Sequence, residues 1–250
     1  ISVTGVQTCA LPISVKCKTT KLDVDAIGFY DVDVRVPEMY VPPLGMVHGI
    51  FKRLIFPTGS FRGVFSTAEL KYAMSLGVEV LKVHEGLIFR SAGFIFKDFI
   101  NDIYEKRKRA GKESVDNVLC KLIMNSTYGR FALRRDREKL IIDDGRVGVR
   151  HFSDHETMNG DHFRLMSEPS ILDSSFAHVG IAAWVTSHAR ILMHKLYMQA
   201  PDKLWYTDTD SLFSTHKYES NQNDLGQLKL EYACDAACFL LPKTYIVNST

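Results

Sequence analysis

The stretch that most constrains the fold is residues 204–213, where two short runs of aromatic and aliphatic residues flank a polar break. This pattern predicts a β-hairpin with Asp208 and Asp210 at its tip. Residues two apart in an extended chain point to one side, so we expect both carboxylates to face the same point. A cation must separate such a pair, and Mg²⁺ prefers hard carboxylate oxygens. A solvated turn without a function is the alternative.

A second pattern lies upstream, in a helix that we predict to begin near Val115. At about 100° per residue, Lys121, Asn125 and Tyr128 share one stripe of this helix. They offer a cation, an amide and an aromatic ring, which suit a phosphate, a sugar or base edge, and a base face. The alternative is a solvated lysine and a tyrosine that only packs. We expect four apolar residues to be buried on the opposite side: Val115, Leu119, Leu122 and Ile123.

Together the two patterns resemble motifs B and C of family B DNA polymerases. Residues 121–129, KLIMNSTYG, match K-x-x-x-N-S-x-Y-G, and residues 206–211, YTDTDS, match Y-x-D-T-D-S. The resemblance covers roughly residues 27–247. It implies template-directed nucleotidyl transfer, in which a 3′-hydroxyl attacks the α-phosphate of a dNTP. It also implies an α+β fold, with a polymerase palm and fingers and a palm insertion.

The resemblance implies a role for each motif residue. Asp210 is expected to bridge two Mg²⁺ ions with support from Asp208, an arrangement that suits in-line displacement at phosphorus. Lys121 is expected to hold the triphosphate of the dNTP. Asn125 and Tyr128 are expected to contact the nascent base pair.

The same resemblance assigns further contacts. Arg107 is expected to assist at the phosphates. The sequence KTY that begins at Lys243 resembles the family's K-x-Y element, so Lys243 and Tyr245 are expected to grip the primer end. Thr209 and Ser211 in motif C are expected to contact DNA. The implied partners are template and primer DNA, together with a terminal priming protein if the polymerase is protein-primed.

The order of the segments resembles the protein-primed subgroup, of viral, linear-plasmid or mitochondrial type. The thumb, the exonuclease domain and motif A are expected to be absent, since Asp31 and Pro37 match motif A only faintly. The chain alone is therefore expected to be inactive. We assign five segments: residues 1–14 as foreign sequence, 15–93 as the insertion region between motifs A and B, 94–130 as the fingers helical hairpin, 131–170 as a second insertion hairpin, and 171–250 as the palm with motif C and the K-x-Y element.

Local patterns predict the remaining elements. Ser66 and Glu69 form a capping box that opens a short helix. The other predicted elements are a strand at residues 28–36, a helix at 94–109, a helix at 174–198 that packs beneath the catalytic hairpin, and strands at 225–232 and 239–247.

The first fourteen residues show no helical or strand period, and residues 3–13 resemble the in-frame translation of a sequencing adapter. We exclude residues 1–14 from fold reasoning, as one does a fusion scar, and expect them to make few contacts. On this hypothesis the natural chain continues upstream in a different sequence. A signal-like segment is the alternative, but the basic start and the continuous apolar run are missing.

Composition and charge fit part of an enzyme that binds nucleic acid. The 250 residues are 46% hydrophobic, enough for a sizeable core. The net charge is only +2, but between residues 104 and 139 eleven Lys or Arg stand against five Asp or Glu. Five cysteines form no disulfide framework, which indicates a reducing compartment, and their spacing disfavours a zinc site. The sequence contains no run of about eighteen apolar residues, so no membrane span is predicted.

Two other functions stay open. One is a non-catalytic nucleic-acid-binding remnant of a decayed polymerase, although intact Asp208, Asp210 and Lys121 argue against long decay. The other is a metal-dependent phosphoesterase of different lineage, which would lack the triphosphate-binding stripe.

Overall fold

The computed structural model describes residues 10–51, 53–111, 114–132, 178–219 and 226–249. Helices and antiparallel strands make up these ranges, in agreement with the expected α+β class. The strands are β1 (Leu11–Thr19), β2 (Gly28–Val36), β3 (Met46–Val47), β4 (Leu54–Ile55), β5 (Gly59–Ser66), β6 (Glu79–Gly93), β7 (Leu204–Asp208), β8 (Ser211–Ser214), β9 (Cys234–Leu241) and β10 (Thr244–Ser249). The helices are α1 (Thr67–Ser75), α2 (Lys97–Arg109), α3 (Val115–Gly129) and α4 (Val179–Tyr197).

Four strands form an antiparallel sheet in the order β1-β6-β2-β5. The strand predicted at residues 28–36 is confirmed as β2, and its alternating residues Tyr30, Val32 and Val34 are fully buried. They share one core with Leu70 of α1. Full burial of a valine or leucine contributes about 1.5 to 3 kcal/mol, so this core holds α1 firmly on the sheet.

The Tyr30 ring fits this core because residue 86 is glycine. A Cβ at Gly86 would lie 2.2 Å from the ring. The Tyr30 hydroxyl donates to the carbonyl oxygen of Lys21 and accepts the N–H of Asp23, each at 3.1 Å. Because Gly86 leaves room for the ring, the hydroxyl reaches these two groups and ties the loop before β2 to the sheet.

The opposite face of the sheet carries ion pairs between neighbouring strands. Both carboxylate oxygens of Asp31 accept hydrogen bonds from Arg62, at 2.6 and 2.8 Å. These bonds hold the pKa of Asp31 below its ordinary value. The residue that faintly matches motif A is thus paired within the sheet.

The predicted capping box at Ser66 and Glu69 is confirmed, and it continues into a buried network. The Glu69 carboxylate accepts hydrogen bonds from the Ser187 hydroxyl and from Arg190 Nε of α4, both at 2.7 Å. Burial raises the pKa of Glu69, but the charge and hydrogen bonds of Arg190, with those of Ser187 and Ser66, outweigh burial and leave this pKa below its ordinary value. Glu69 therefore links α1 to α4 as a charged group.

Helices α2 and α3 pack together through Ile100 and Ile103 of α2 and Cys120 and Met124 of α3. The predicted orientation of α3 is therefore wrong. Leu122 is 62% exposed. The other residues expected in the core are exposed as well: Val115, Leu119 and Ile123.

The reason lies in the contacts at the turn between these helices. Asn117 Nδ2 donates to the carbonyl oxygen of Arg107 at 3.2 Å, and Arg107 Nε donates to Asn117 Oδ1 at 3.4 Å. Because α3 carries apolar residues on two sides, helical periodicity alone does not select the buried face. The Arg107–Asn117 contacts and the partner residues on α2 select the face of Cys120 and Met124.

The start of the chain also differs from expectation. β1 begins at Leu11, which is fully buried against Trp184 and Val185 of α4. His178 Nε2 lies 3.0 Å from the carbonyl oxygen of Ile13. The expectation that residues 1–14 make few contacts is thus wrong for residues 11–14, which pair with β6, while residues 1–9 lie outside the described ranges.

The predicted helix at residues 174–198 is observed as α4, but it packs mainly on β1, on α1 and on the 3₁₀ turn Arg130–Ala132 that follows α3. His194 in α4 accepts a hydrogen bond from the Tyr72 hydroxyl at Nδ1, at 2.9 Å, because its Nε2 must donate to the carbonyl oxygen of Val41, at 2.8 Å. The end of α4 leads through a 3₁₀ turn, Pro201–Lys203, into β7.

The remaining strand predictions are partly wrong. Residues 226–232 contain no strand, and the strand expected at 239–247 is a hairpin, because β9 and β10 pair around Pro242 and Lys243. The predicted insertion hairpin at residues 131–170 falls almost wholly outside the described ranges. Among the described helices, none has the length and apolarity to cross a membrane.

Candidate active site

The predicted hairpin that carries the two acids is confirmed as β7 and β8. Asp208 pairs with Ser211, so Thr209 and Asp210 form a two-residue turn. Thr209 has a φ of 57°, and the Asp210 N–H donates to the Asp208 carbonyl oxygen at 2.7 Å. The extended geometry assumed for residues 208–210 is therefore wrong, and a tight turn sets the directions of the two carboxylates instead.

Two hydroxyls brace this turn. Thr209 Oγ1 donates to Asp208 Oδ1 at 3.0 Å, and Ser211 Oγ donates to the Asp208 carbonyl oxygen at 3.1 Å. Thr209 and Ser211 were expected to contact DNA, and that role stays a prediction. Within the described structure their hydroxyls hold Asp208.

The second hairpin brings Lys243 to Asp208. Lys243 Nζ lies 3.0 Å from Asp208 Oδ2 and 3.1 Å from Oδ1. The Lys243 backbone N–H also donates to the Tyr206 hydroxyl at 2.7 Å. The hydrogen bonds and charge of Asp208 raise the pKa of Lys243, and the hydrogen bond from Lys243 is the main cause that lowers the pKa of Asp208. Asp208 and Lys243 therefore form one charged pair between the two hairpins.

Backbone strain concentrates at this site. Within the part of the chain that the structure describes, Thr209 and Lys243 are the residues other than glycine with a positive φ, at 57° and 64°. This conformation costs a residue with a Cβ roughly 1 to 2 kcal/mol. Strained residues persist where the surroundings fix them, and they cluster at functional sites. Here they occupy the tips of two adjacent hairpins.

Aromatic rings join the two hairpins behind the charged tips. Tyr206 of β7 stacks parallel to Phe239 of β9, with centroids 4.9 Å apart. Phe213 of β8 contacts Tyr245 of β10 edge-on, also at 4.9 Å. Partial burial and a hydrogen bond with Tyr245 raise the pKa of Tyr232, which packs on the same cluster, to about 12. Tyr245, expected at the primer, is thus anchored in this aromatic cluster.

A cleft opens beside these residues. Its volume is about 320 Å³, and it is lined by Tyr206, Thr207, Asp208 and the end of β9 with Pro242. One wall is aromatic and apolar, and Asp208 supplies a carboxylate. The cleft therefore suits a ligand with both a flat or apolar part and a charged part.

The helix stripe predicted from motif B lies on α3. Lys121 and Asn125 are exposed and Tyr128 is half-buried, packed against the cluster that contains Trp184. Arg107 instead contacts Asn117 near the start of α3, about 12 Å along the helix axis from Asn125. The structure thus keeps Lys121, Asn125 and Tyr128 on one helix and separates Arg107 from the far end of that stripe.

Sequence reasoning missed two tyrosines at this site. Tyr206 belongs to motif C, but its hydroxyl contacts Lys243, which lies 37 residues further along the chain. Burial raises the pKa of Tyr197, the last residue of α4, and Thr207 and Asp210 are among the groups that influence it. The aromatic character of position 206 was a visible signal, whereas nothing in the sequence around Tyr197 indicated its contact.

The donors at the hairpin tips fit magnesium in kind. Asp208 and Asp210 offer hard oxygens, and Mg²⁺ is commonly held by one or two carboxylates plus substrate phosphates and water. No group of three or more His, Cys, Asp or Glu side chains forms a metal cluster in the described ranges. Asp208 also has both oxygens within 3.1 Å of Lys243 Nζ, so this lysine already neutralises part of the negative charge of the site.

Comparison with known proteins decides the family. The family of organellar and viral type B DNA polymerases matches residues 9–176. The chain belongs to this family. The match begins inside the segment that was expected to be foreign, in agreement with the packing of Leu11.

Individual relatives agree with this membership. A probable DNA polymerase of Neurospora intermedia is 27% identical over 232 residues, which is 87% of this chain and 24% of the relative. A DNA-directed DNA polymerase of Enterobacteria phage PRD1 is 28% identical over 159 residues, 60% of this chain and 28% of the relative. This type B polymerase chain therefore spans about a quarter of the length of these relatives.

Solved structures show the same fold. An orthorhombic crystal form of Phi29 DNA polymerase superposes with a TM-score of 0.70 at 21% identity, over 99% of this chain and 44% of that protein. A ternary complex of Phi29 DNA polymerase with primer-template DNA and incoming nucleotide substrates gives a TM-score of 0.70 at 20% identity, over 100% and 44%.

Proposed function

We propose that this chain is a segment of a DNA-directed DNA polymerase that adds nucleotides to a primer during DNA replication. The observation that carries the proposal is the pairing of Lys243 with Asp208 at two strained hairpin tips, in a chain that belongs to the type B polymerases. The contact between Lys243 and Asp208 supports a site in which the turn that carries the acids and the lysine that grips the primer act on the same substrate.

The roles divide between the hairpins and α3. Asp210 is the first metal ligand, and Asp208 supports it while it holds Lys243. Lys121 holds the triphosphate of the dNTP, since an exposed lysine forms charge-assisted bonds to phosphate. Asn125 and Tyr128 contact the nascent pair. Two bound Mg²⁺ ions would supply charge neutralisation and a more reactive 3′-hydroxyl.

The architecture follows the same division. The hairpins β7–β8 and β9–β10 with α4 form the palm, and α2 and α3 form the fingers. Residues 15–93, which contain most of the four-stranded sheet, are assigned to the insertion between motifs A and B, and residues 131–170 are assigned to the second insertion. The chain spans about a quarter of the length of these relatives, which supports a segment of a longer polymerase.

Protein priming is the finer part of the proposal. The two insertions resemble those of the protein-primed subgroup, and the phage and fungal relatives support this assignment. The partners are then primer and template DNA and a terminal priming protein.

The test is template-directed extension by the full-length polymerase that carries this segment. We expect a primed template to gain the one nucleotide that its template base specifies, in the presence of Mg²⁺ and that dNTP. A phosphoesterase would instead release phosphate from the dNTP or shorten the primer. A non-catalytic remnant would bind the primed template without extending it, and either result would overturn the proposal.

A further inference from the structure

We propose that the Tyr206 hydroxyl is a positioning group that aims the Lys243 side chain at the primer end. The inference rests on the proposed function, because it gives Lys243 its substrate. Tyr206 acts through Lys243 and is not itself a catalytic residue.

Lys243 is held at two points. The Tyr206 hydroxyl accepts a hydrogen bond from the Lys243 backbone N–H at 2.7 Å, and the two Asp208 carboxylate oxygens bind the Lys243 ammonium at 3.0 and 3.1 Å. Tyr206 and Asp208 lie two apart on β7 and therefore share one side of the strand. The lysine is thus held at its backbone and at its charged end by a single strand face.

Lys243 also has an unfavourable backbone conformation. It follows Pro242 in the turn between β9 and β10 and has a φ of 64°. In a two-residue turn with proline first, glycine or asparagine is usual at the second position, because a Cβ disfavours positive φ. A lysine there indicates that its side chain is needed. The hydrogen bond from the Lys243 N–H to Tyr206 stabilises this unfavourable backbone.

The Tyr206 hydroxyl is held in place by the packing of its ring. Its ring stacks on Phe239 at 4.9 Å and contacts Phe213 and Tyr245 at 5.9 and 5.7 Å. These contacts involve the ring alone. A phenylalanine at position 206 retains the ring and loses the hydrogen bond to Lys243, so Tyr206→Phe separates positioning from packing.

The experiment is a double-mutant cycle in the full-length polymerase, with Tyr206→Phe, Lys243→Met and the double variant. The dissociation constant for a fluorescent primer-template is measured by anisotropy across a salt series, together with the KM for dNTP. We expect Tyr206→Phe to weaken primer-template binding about five-fold, within the range of one lost hydrogen bond. The KM for dNTP stays within two-fold, and in the Lys243→Met background Tyr206→Phe has no further effect.

The salt series separates this role from a structural one. Loss of one phosphate contact lowers the slope of log K against log salt by about 0.7 to 0.9. Lys243→Met should show the full decrease in slope, and Tyr206→Phe should show part of it. A loss of packing would instead lower the melting temperature and leave the slope unchanged. Tyr218→Phe is the matched control, because the buried Tyr218 hydroxyl has no hydrogen-bond partner in the described structure.

Each outcome decides between the claims. If Lys243→Met weakens binding and Tyr206→Phe has no effect, or an effect that adds fully to that of Lys243→Met, the positioning role is wrong and the proposed function stands. If Lys243→Met leaves primer-template binding and its salt slope unchanged, the primer-gripping role of Lys243 fails, and the inference fails with it.

Discussion

The Lys243 ammonium lies within 3.1 Å of both carboxylate oxygens of Asp208, and this ion pair joins the tips of two hairpins that are 35 residues apart in sequence. Because the pKa of Asp208 is depressed, the contribution of this carboxylate to the stability of the folded state is present above the ordinary aspartate pKa and is lost as pH falls through the depressed value. The raised pKa of Lys243 means that its contribution is present below the ordinary lysine pKa and lost as pH rises through the raised value. At neutral pH both groups are charged.

The first prediction concerns the pKa of Lys243. Asp208→Asn should lower this pKa toward the ordinary lysine value, because the paired charge is gone. The measurement is an NMR titration of the lysine side chains. Lys18 is the internal control, since its raised pKa depends on Glu85 on another sheet. An unchanged Lys243 pKa would show that the ion pair does not form in solution.

The second prediction concerns the buried link between α1 and α4. Glu69→Gln should lower the free energy of unfolding at pH 7 by about 2 to 3 kcal/mol. Loss of one partner from a buried pair costs about 3 to 5 kcal/mol, and the partial exposure of Arg190 reduces this figure.

The pH dependence of this loss is a stricter test. The folded pKa of Glu69 is depressed, so its stabilisation is present above the ordinary glutamate pKa of about 4.3 and lost as pH falls below it. The difference between the parent and Glu69→Gln should therefore shrink in acid. Glu79→Gln, which breaks an exposed pair with Arg35, is the control and should cost less than about 1 kcal/mol. A Glu69→Gln loss that is equal at pH 3 and pH 7 would contradict the network.

The third prediction tests the orientation of α3. Met124→Ala should cost about 2 to 5 kcal/mol in the free energy of unfolding, because Met124 is buried against α2. Leu122→Ala should cost about 0.5 kcal/mol or less, because Leu122 is largely exposed. Urea denaturation of the two variants gives both values, and reversed magnitudes would restore the orientation predicted from periodicity.

The fourth prediction tests the start of the chain. Leu11→Ala should lower the free energy of unfolding by about 2 to 5 kcal/mol, because Leu11 is fully buried against α4. Ile13→Ala, at a more exposed position of the same strand, is the matched control and should cost far less. If thermal melting shows no difference between Leu11→Ala and the parent, residues 11–14 do not pack as β1.

Local patterns predicted what depends on local contacts. The alternation at residues 28–36, the capping box at Ser66 and Glu69, and the hairpin at 204–213 all follow from neighbours in sequence, and all are confirmed. The pairing of β1 with β6 joins residues as far apart as Leu11 and Gly93, and no local period at residues 11–14 indicated it.

The functional roles of Asp208, Asp210 and Lys243 stay predictions from the motifs, whereas their geometry could not be predicted. The contact between Asp208 and Lys243 depends on the turn at Pro242 and Lys243, in a segment that appeared in the sequence as one continuous strand. The direction of Asp210 depends on the positive φ of Thr209, which the assumption of an extended chain excluded.

The most direct test of the central claim is single-turnover nucleotide incorporation by the full-length polymerase with Asp210→Asn. We expect the rate to fall at least about a hundredfold, because the lost charge stabilises the transition state, while the dissociation constant for primer-template changes less than about two-fold. Asp202→Asn, the same change at an exposed acid in the turn before β7, is the control and should retain the parent rate. An Asp210→Asn rate within a few-fold of the parent would contradict the assignment of this hairpin as the catalytic site.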